Sequence, residues 1–298
     1  MQLLQWILRA SLQAGVNSSA LIHRQVASIR TGLPVPPAVA VARLQIPIKR
    51  LRDLAQLRYV SELPSFLARQ SSSPASVVAD ELLQQIWQMQ KRAIVAKPVA
   101  VPIELLQGFT VSKTTKDTLR FELHDPAIAY WLAELMICDL SWEVPRSPQF
   151  LLQQPQRVFT LQHALARCCS WLRHAEQAHI IQLATNKASQ HWSLATPIYW
   201  LDEAQQLQFT HAAERQLANQ LVAVLDTWFA PPPVAEKHLF LLAENISHGF
   251  EEAHRMVPVF GRHASRDRLK CHLGLVCITQ RVLRQLLQPL KIVAPTEL

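Results

Sequence analysis

The sequence predicts a mainly α-helical protein, in which an all-α helical bundle follows a small α/β domain. Three observations support this fold class. Glycine is scarce, with six residues among 298, where an average protein of this length contains about 20. Apolar residues at helical spacing recur throughout the second half of the chain, whereas strand-like patterns are confined to the first half. The length, at roughly 150 residues per domain, suits two domains.

The first domain is predicted to span residues 1–137, and it begins with helical and extended patterns. Apolar residues at helical spacing predict a helix over 2–14, and the proline-rich stretch over 32–50 predicts an extended segment. Helical patterns return over 51–69. A further helix is expected after Pro74, where preceding serines can cap its first turn.

Strands and a closing helix complete the first domain. Apolar segments over 99–103 and 118–123 predict strands, and in the second of them apolar and charged residues alternate. Asp125 is a suitable N-cap and Pro126 suits the first position of a helix. This helix is expected to end the domain near Met136.

The second domain is predicted to begin after a linker over residues 138–157, which carries three prolines and little periodicity. The segment 158–298 is then predicted to form an all-α bundle. Its helices are expected over 158–177, 196–208, 211–229, 236–254 and 266–289.

The net charge is +8, from 30 basic and 22 acidic residues. Basic residues concentrate near the C-terminus, where Asp267 is the single acid among them. These residues are Arg262, Arg266, Arg268, Lys270, Arg281, Arg284 and Lys291. A basic domain suits a polyanionic partner, nucleic acid first, although a solvated surface that only keeps the protein soluble explains the charge equally well.

The cysteines, the first residues and the lengths of the apolar runs all predict the same cellular compartment. The five cysteines are an odd number without a C-x-x-C pair, which favours free thiols in a reducing cytosol. The first residues lack the basic start of a signal peptide, and no apolar run reaches the 18 or so residues of a membrane span. A cytoplasmic protein without membrane contact is therefore expected.

Common catalytic signatures are missing from the sequence. It contains no G-x-G-x-x-G, no G-x-x-x-x-G-K-[ST], no H-E-x-x-H and no G-x-S-x-G. The twelve histidines do not show the i, i+4 spacing of a helical metal pair. We therefore predict no catalytic residues, no metal and no cofactor.

Three segments of the second half resemble the C-terminal anticodon-binding domain of arginyl-tRNA synthetases, the DALR domain. FTLQHALARCCSWLRHA, at 159–175, is similar to the helix that opens that domain, with matches that include Gln162, Arg167 and Arg173. LLAENISHGFEEAHRMVPVFG resembles a second segment of the family. The stretch from Arg268 to Leu298 resembles its final helix and tail without a gap. The resemblance covers residues 158–298.

The sequence departs from the family pattern at several positions. Family positions that usually hold tyrosine and histidine carry His163 and Leu165, and Ser247 and Gly249 replace an asparagine and an aromatic residue. The first half resembles the synthetase's N-terminal domain, which touches the tRNA elbow. The catalytic domain that would stand between these parts, with its HIGH and KMSK signatures, has no counterpart here.

The resemblance implies a non-catalytic tRNA-binding protein whose first candidate partner is arginine tRNA. Two other readings stay open: a protein-interaction scaffold that kept the DALR fold, and an arginine–tRNA ligase part that works with a separate catalytic chain. An enzyme is the less favoured class. The residues expected to contact RNA are Gln162, His163, Arg167, Ser247, Arg268, Arg281, Arg284 and Leu298.

The sequence makes a specific prediction about the two arginines of the last helix. Arg281 and Arg284 lie three residues apart, so their side chains share one face of a helix. Apolar residues occupy much of the rest of that helix, which predicts that both arginines face solvent. Internal pairing is the alternative for Arg167.

Overall fold

The computed structural model describes residues 48–51, 56–71, 73–95, 108–138, 154–186, 191–209, 211–228, 234–257 and 265–297. Several predictions fall outside these ranges. They are the helix over 2–14, most of the extended stretch over 32–50, the strand over 99–103, most of the linker and Leu298. The chain divides into two compact units, Met1–Ala127 and Ile128–Leu298.

The first unit contains a four-stranded antiparallel sheet with strand order β1-β2-β4-β3. Its strands are β1 (Ile48–Arg50), β2 (Arg58–Ser61), β3 (Phe109–Lys113) and β4 (Leu119–Leu123). Phe121 on the central strand β4 is fully buried and pairs with Tyr59 on one side and Val111 on the other. The predicted strand over 118–123 is confirmed as β4.

Two helices accompany this sheet, α1 (Leu63–Ser71) and α2 (Ala75–Val95), and α2 packs against both α1 and β3. Lys113 at the end of β3 donates to Asp80 of α2 at 2.9 Å. The helix expected after Pro74 is confirmed. The helical prediction over 51–69 is wrong for its central part, because Arg58–Ser61 is a strand that pairs with β1 and β4.

The helix α3 (Asp125–Ile137) follows β4 directly, as the sequence predicts, and continues into the second unit. Four longer helices follow in that unit. They are α4 (Pro155–Gln177), α5 (Ala212–Trp228), α6 (Glu236–Met256) and α7 (Arg266–Leu287). These four confirm the helices predicted near 158–177, 211–229, 236–254 and 266–289.

Helix α7 forms the centre of the second unit. It packs against α4, α5 and α6, and every residue from Cys271 to Leu283 is buried. Ser265 caps its first turn by accepting from the backbone N–H of Arg268. One buried polar pair joins α7 to a neighbouring helix: His272 Nδ1 lies 2.9 Å from Glu214 Oε1 on α5.

The second unit is not entirely helical. Strands β5 (Leu183–Asn186) and β6 (His191–Leu194) form an antiparallel hairpin, and β6 also packs against α7. The all-α prediction for the second domain is therefore wrong, while the coarser class, mainly α, holds.

The helix expected over 196–208 is also wrong. That segment is extended and turns back on itself, so that Leu201 and Leu207 form a β-bridge. Asp202 stabilises the turn because its side chain accepts from the backbone N–H of Gln206, a local bond that competes with a helix. Trp200 is buried against α7, where Gly274 leaves room for its ring.

Candidate nucleic-acid interface

Helix α4 presents one exposed face that carries an aromatic ring, an imidazole and a guanidinium. Phe159, His163 and Arg167 follow each other at intervals of four residues, which places them on the same side of a helix. Phe159 is 49% exposed, and the side chains of His163 and Arg167 are 47% and 40% exposed. We refer to these three residues as the α4 face.

The opposite side of α4 explains why this face points outward. Small and apolar residues alternate there at helical spacing and pack against α6 and α7. The buried residues are Leu161, Ala164, Leu165, Ala166, Cys168, Cys169, Leu172 and Ala175. Burial of this stripe fixes the rotation of α4, and the α4 face follows from it.

Glu251 of α6 lies beside the α4 face. Its carboxylate is 2.8 Å from Nη1 of Arg167 and 3.5 Å from Nδ1 of His163. The rings of Phe159 and His163 have their centroids 6.1 Å apart. Glu251 therefore holds the guanidinium in place and at the same time offsets its charge, which matches the internal pairing left open for Arg167.

A second imidazole, that of His254, lies where α4 and α6 pack against each other. The ring of His254 packs edge-on against Trp171 at 4.3 Å between centroids and stacks on Phe250. Burial first, and then the nearby charges of Arg167 and His272, lower the pKa of His254 to about 4. His254 is therefore neutral at neutral pH and adds no charge to the α4 face.

The C-terminal segment lies along a different edge of α4. Gln162 Nε2 donates to the carbonyl oxygen of Val293 at 3.0 Å. Arg173 donates to the carbonyl oxygen of Thr296 at 3.0 Å and pairs with Glu297 at 3.1 Å. The amide nitrogen of Gln162, one of the expected RNA contacts, is thus engaged with the chain itself.

Two expected RNA contacts are buried. Ser247 has no exposed surface, and its hydroxyl has no hydrogen-bond partner among the described residues. Arg281 is only 7% exposed, and it donates to the carbonyl oxygens of Ile137 and Cys138 at the end of α3. The prediction that Arg281 faces solvent is wrong, because α7 is surrounded and the guanidinium satisfies helix-end carbonyls instead.

The remaining candidates lie apart from one another. Arg268 is exposed in the first turn of α7, whereas Arg284 is half-buried near the other end, where its charge acts on the thiol of Cys169. Leu298 lies outside the described residues. Of the eight expected residues, the structure brings together His163 and Arg167 on the α4 face, with Gln162 beside them on the same helix.

Sequence reasoning missed Phe159 and Glu251. The four-residue spacing of Phe159, His163 and Arg167 is readable in the sequence and could have indicated the α4 face. Glu251 lies 84 residues from Arg167, so no local sequence pattern could indicate that their side chains pair.

The surroundings of two buried thiols suppress their reactivity. Burial raises the pKa of Cys271 and of Cys277 to about 12, so both stay protonated and unreactive. Within the described ranges, no three His, Cys, Asp or Glu side chains are grouped so that they could hold a metal ion.

None of the described helices has the length and apolar character needed to span a bilayer.

Comparison with protein-family models, curated proteins and solved structures finds no match to this chain.

Proposed function

We propose that this protein binds single-stranded RNA, with the anticodon loop of a tRNA as its target, and that the α4 face is the contact surface. The observation that carries the proposal is the exposure of Phe159, His163 and Arg167 side by side on one helix. Unpaired bases stack on aromatic rings, imidazoles and guanidinium planes, and a guanidinium also binds phosphate.

Two further observations support an RNA partner. The chain carries a net charge of +8, which favours association with a polyanion. The resemblance of residues 159–175 to the first helix of the DALR domain covers the same helix that bears the α4 face. RNA binding by a rigid helix also needs no catalytic group.

The second candidate is a protein-interaction scaffold, and the pairing around Glu251 favours it. That carboxylate offsets the charge of Arg167, which reduces the attraction of the α4 face for phosphate. Apolar side chains are also exposed on α6 and in the C-terminal segment, at Leu241 and Val293. A mixed surface of this kind also suits a protein partner.

The experiment that tests RNA binding uses the full chain and a labelled single-stranded oligoribonucleotide of about 10 nucleotides, within the usual site size of one module. The variant combines Phe159→Ala with Arg167→Gln. A matched control changes the same residue types on α1, Phe66→Ala with Arg69→Gln, where Phe66 is also partly exposed. Fluorescence anisotropy gives the dissociation constants.

We expect the α4 variant to bind about tenfold more weakly or worse, since one stacked base contributes about 1–3 kcal/mol. The control should bind like the wild type. A wild-type chain that purifies without RNA, binds no oligonucleotide and retains one stoichiometric protein would overturn RNA binding and establish the scaffold.

A further inference from the structure

A cleft of about 410 Å³ opens beyond the C-terminal end of α4. Three parts of the second unit line it: the last turn of α4 with the following loop, the residue Thr196 after β6, and the first turn of α7. The side chains of Glu176, Thr196, Arg266 and Lys270 are among those that line it. We refer to it as the α7 cleft.

Arg266, Lys270 and Thr196 supply hydrogen-bond donors to the α7 cleft. Arg266 uses one terminal nitrogen to donate to the carbonyl oxygen of His179 at 3.2 Å, which holds its guanidinium at the cleft. Lys270 is anchored more loosely, 3.4 Å from Asp267. The hydroxyl oxygen of Thr196 accepts from the N–H of Gln182 at 2.9 Å, so its hydrogen is left to donate.

One carboxylate, that of Glu176, lines the same cleft and offsets one of its two positive charges. Glu176 Oε1 accepts from the backbone N–H of Leu183 at 3.0 Å, which ties the loop after α4 to the start of β5. A guanidinium, an ammonium and a hydroxyl therefore converge on a volume that admits a phosphate group. This donor set matches the oxygens of a phosphodiester.

We infer that the α7 cleft binds backbone phosphates of the same RNA strand whose bases contact the α4 face. The inference rests on the proposed function and extends it to a second contact. The two surfaces lie on one rigid element, because α4 carries the α4 face and ends at Gln177, next to the cleft. From His163 to Gln177 the helix rises about 20 Å, so only a strand of several nucleotides reaches both.

The test compares two labelled single strands, one of about 4 and one of about 16 nucleotides, the range of site sizes of single-strand-binding modules. The cleft variant of the full chain combines Arg266→Gln with Lys270→Gln. The control variant removes two positive charges elsewhere, Lys116→Gln with Lys237→Gln, at exposed positions outside both surfaces. Dissociation constants are measured by anisotropy over a range of salt concentrations.

The cleft variant should bind the long strand roughly fivefold more weakly, with a salt slope shallower by about 1.4, since each phosphate contact on a single strand contributes about 0.7. The short strand, held at the α4 face, should bind the cleft variant and the wild type alike. The control should match the wild type with both strands.

Three results would overturn the inference. If the cleft variant retains the wild-type affinity and salt slope for the long strand, the cleft does not bind the strand, and the proposed function is unaffected. If it loses no more affinity than the control, the effect is one of net charge. A wild-type chain that binds neither strand refutes the proposed function and, with it, this extension.

Discussion

Arg281 on α7 closes the C-terminal end of α3 by donating twice to the carbonyl oxygen of Cys138, from Nε at 3.0 Å and from Nη2 at 2.8 Å. A third bond, to Ile137, uses Nη2 again. A helix end leaves carbonyl oxygens without partners in its own helix, and a cation is favourable there because of the helix dipole. Arg281 thus joins α3 to the central helix of the second unit.

Replacing Arg281 should therefore cost stability. We expect Arg281→Gln to lower the free energy of unfolding by about 2–3 kcal/mol, since bonds from a charged donor are lost and an acceptor is left without a partner. Urea unfolding followed by circular dichroism measures this. Arg268→Gln, on the exposed start of the same helix, is the control and should stay within about 0.5 kcal/mol of the wild type. Equal midpoints for the two variants would contradict the role of Arg281.

Gly274 supplies the second prediction. A Cβ atom at this position would lie 2.7 Å from Cη2 of Trp200, and a rigid indole cannot retreat without moving the segment that carries it. We expect Gly274→Ala to destabilise the protein by about 1–2 kcal/mol, because overpacking exceeds the roughly 1 kcal/mol gained in helix propensity. Thermal unfolding measures the difference.

Gly249 on α6 provides the comparison for Gly274. A Cβ atom there would meet the end of the Gln220 side chain, which is flexible and can adopt another rotamer. Gly249→Ala should therefore be neutral or slightly stabilising. In a Trp200→Phe background, Gly274→Ala should cost less than in the wild type. If the cost is the same in both backgrounds, the ring of Trp200 is not its cause.

The imidazole of His254 predicts an acid-sensitive bundle. Its pKa is about 4 in the folded protein because of burial and then the charge of Arg167, whereas an unfolded histidine titrates near pH 6.5. The unfolded chain therefore binds this proton first, so its contribution to stability is complete above about pH 6.5 and is lost as the pH falls towards 4.

NMR titration of the histidine rings tests this assignment. In Arg167→Gln the pKa of His254 should rise towards its ordinary value, because one of the causes that lower it is gone. Lys237→Gln, which removes an exposed charge from the first turn of α6, should leave it in place. An ordinary pKa for His254 in the wild type would show that the ring is solvated.

Local patterns in the sequence were sufficient for most helices and insufficient for the contacts between them. The helix α2 follows Pro74, and α3 begins at Asp125 and Pro126, both recognisable within a few residues. The extended segment around Trp200 depends on the space at Gly274, which lies 74 residues further along the chain. The burial of Arg281 likewise depends on where α3 ends. Neither contact produces a periodic pattern in the sequence from which it could be predicted.

The residues of the candidate site could likewise be predicted only in part. His163 and Arg167 were expected from the resemblance of residues 159–175 to the first helix of the DALR domain, and the structure does place them together on one helix. Ser247 was expected from the resemblance of its segment to the family pattern, and that pattern does not show its burial, because α6 turns this position inward. The side of a helix that faces the core is set by its neighbours as well as by its own apolar pattern.

Glu251 offers the sharpest test of what the α4 face binds. Its carboxylate lies against Arg167 and His163, so Glu251→Gln removes a negative charge from the point where RNA phosphates would approach. We expect the affinity for a single-stranded oligoribonucleotide to increase about two- to fivefold, the equivalent of roughly 0.5–1 kcal/mol for a partly exposed pair. The salt dependence of binding should become steeper, because the freed guanidinium then meets phosphate.

The neighbouring Glu252 makes a matched control, because it pairs with Arg255 on the outer side of α6 rather than with the α4 face. Glu252→Gln changes the net charge by the same amount and should leave the affinity near that of the wild type. If the two variants bind RNA equally tightly, overall charge explains the effect and the α4 face has no special part in it. If Glu251→Gln weakens binding, the carboxylate serves to hold Arg167 in its binding position, and the gain from removing its charge is the smaller of the two effects.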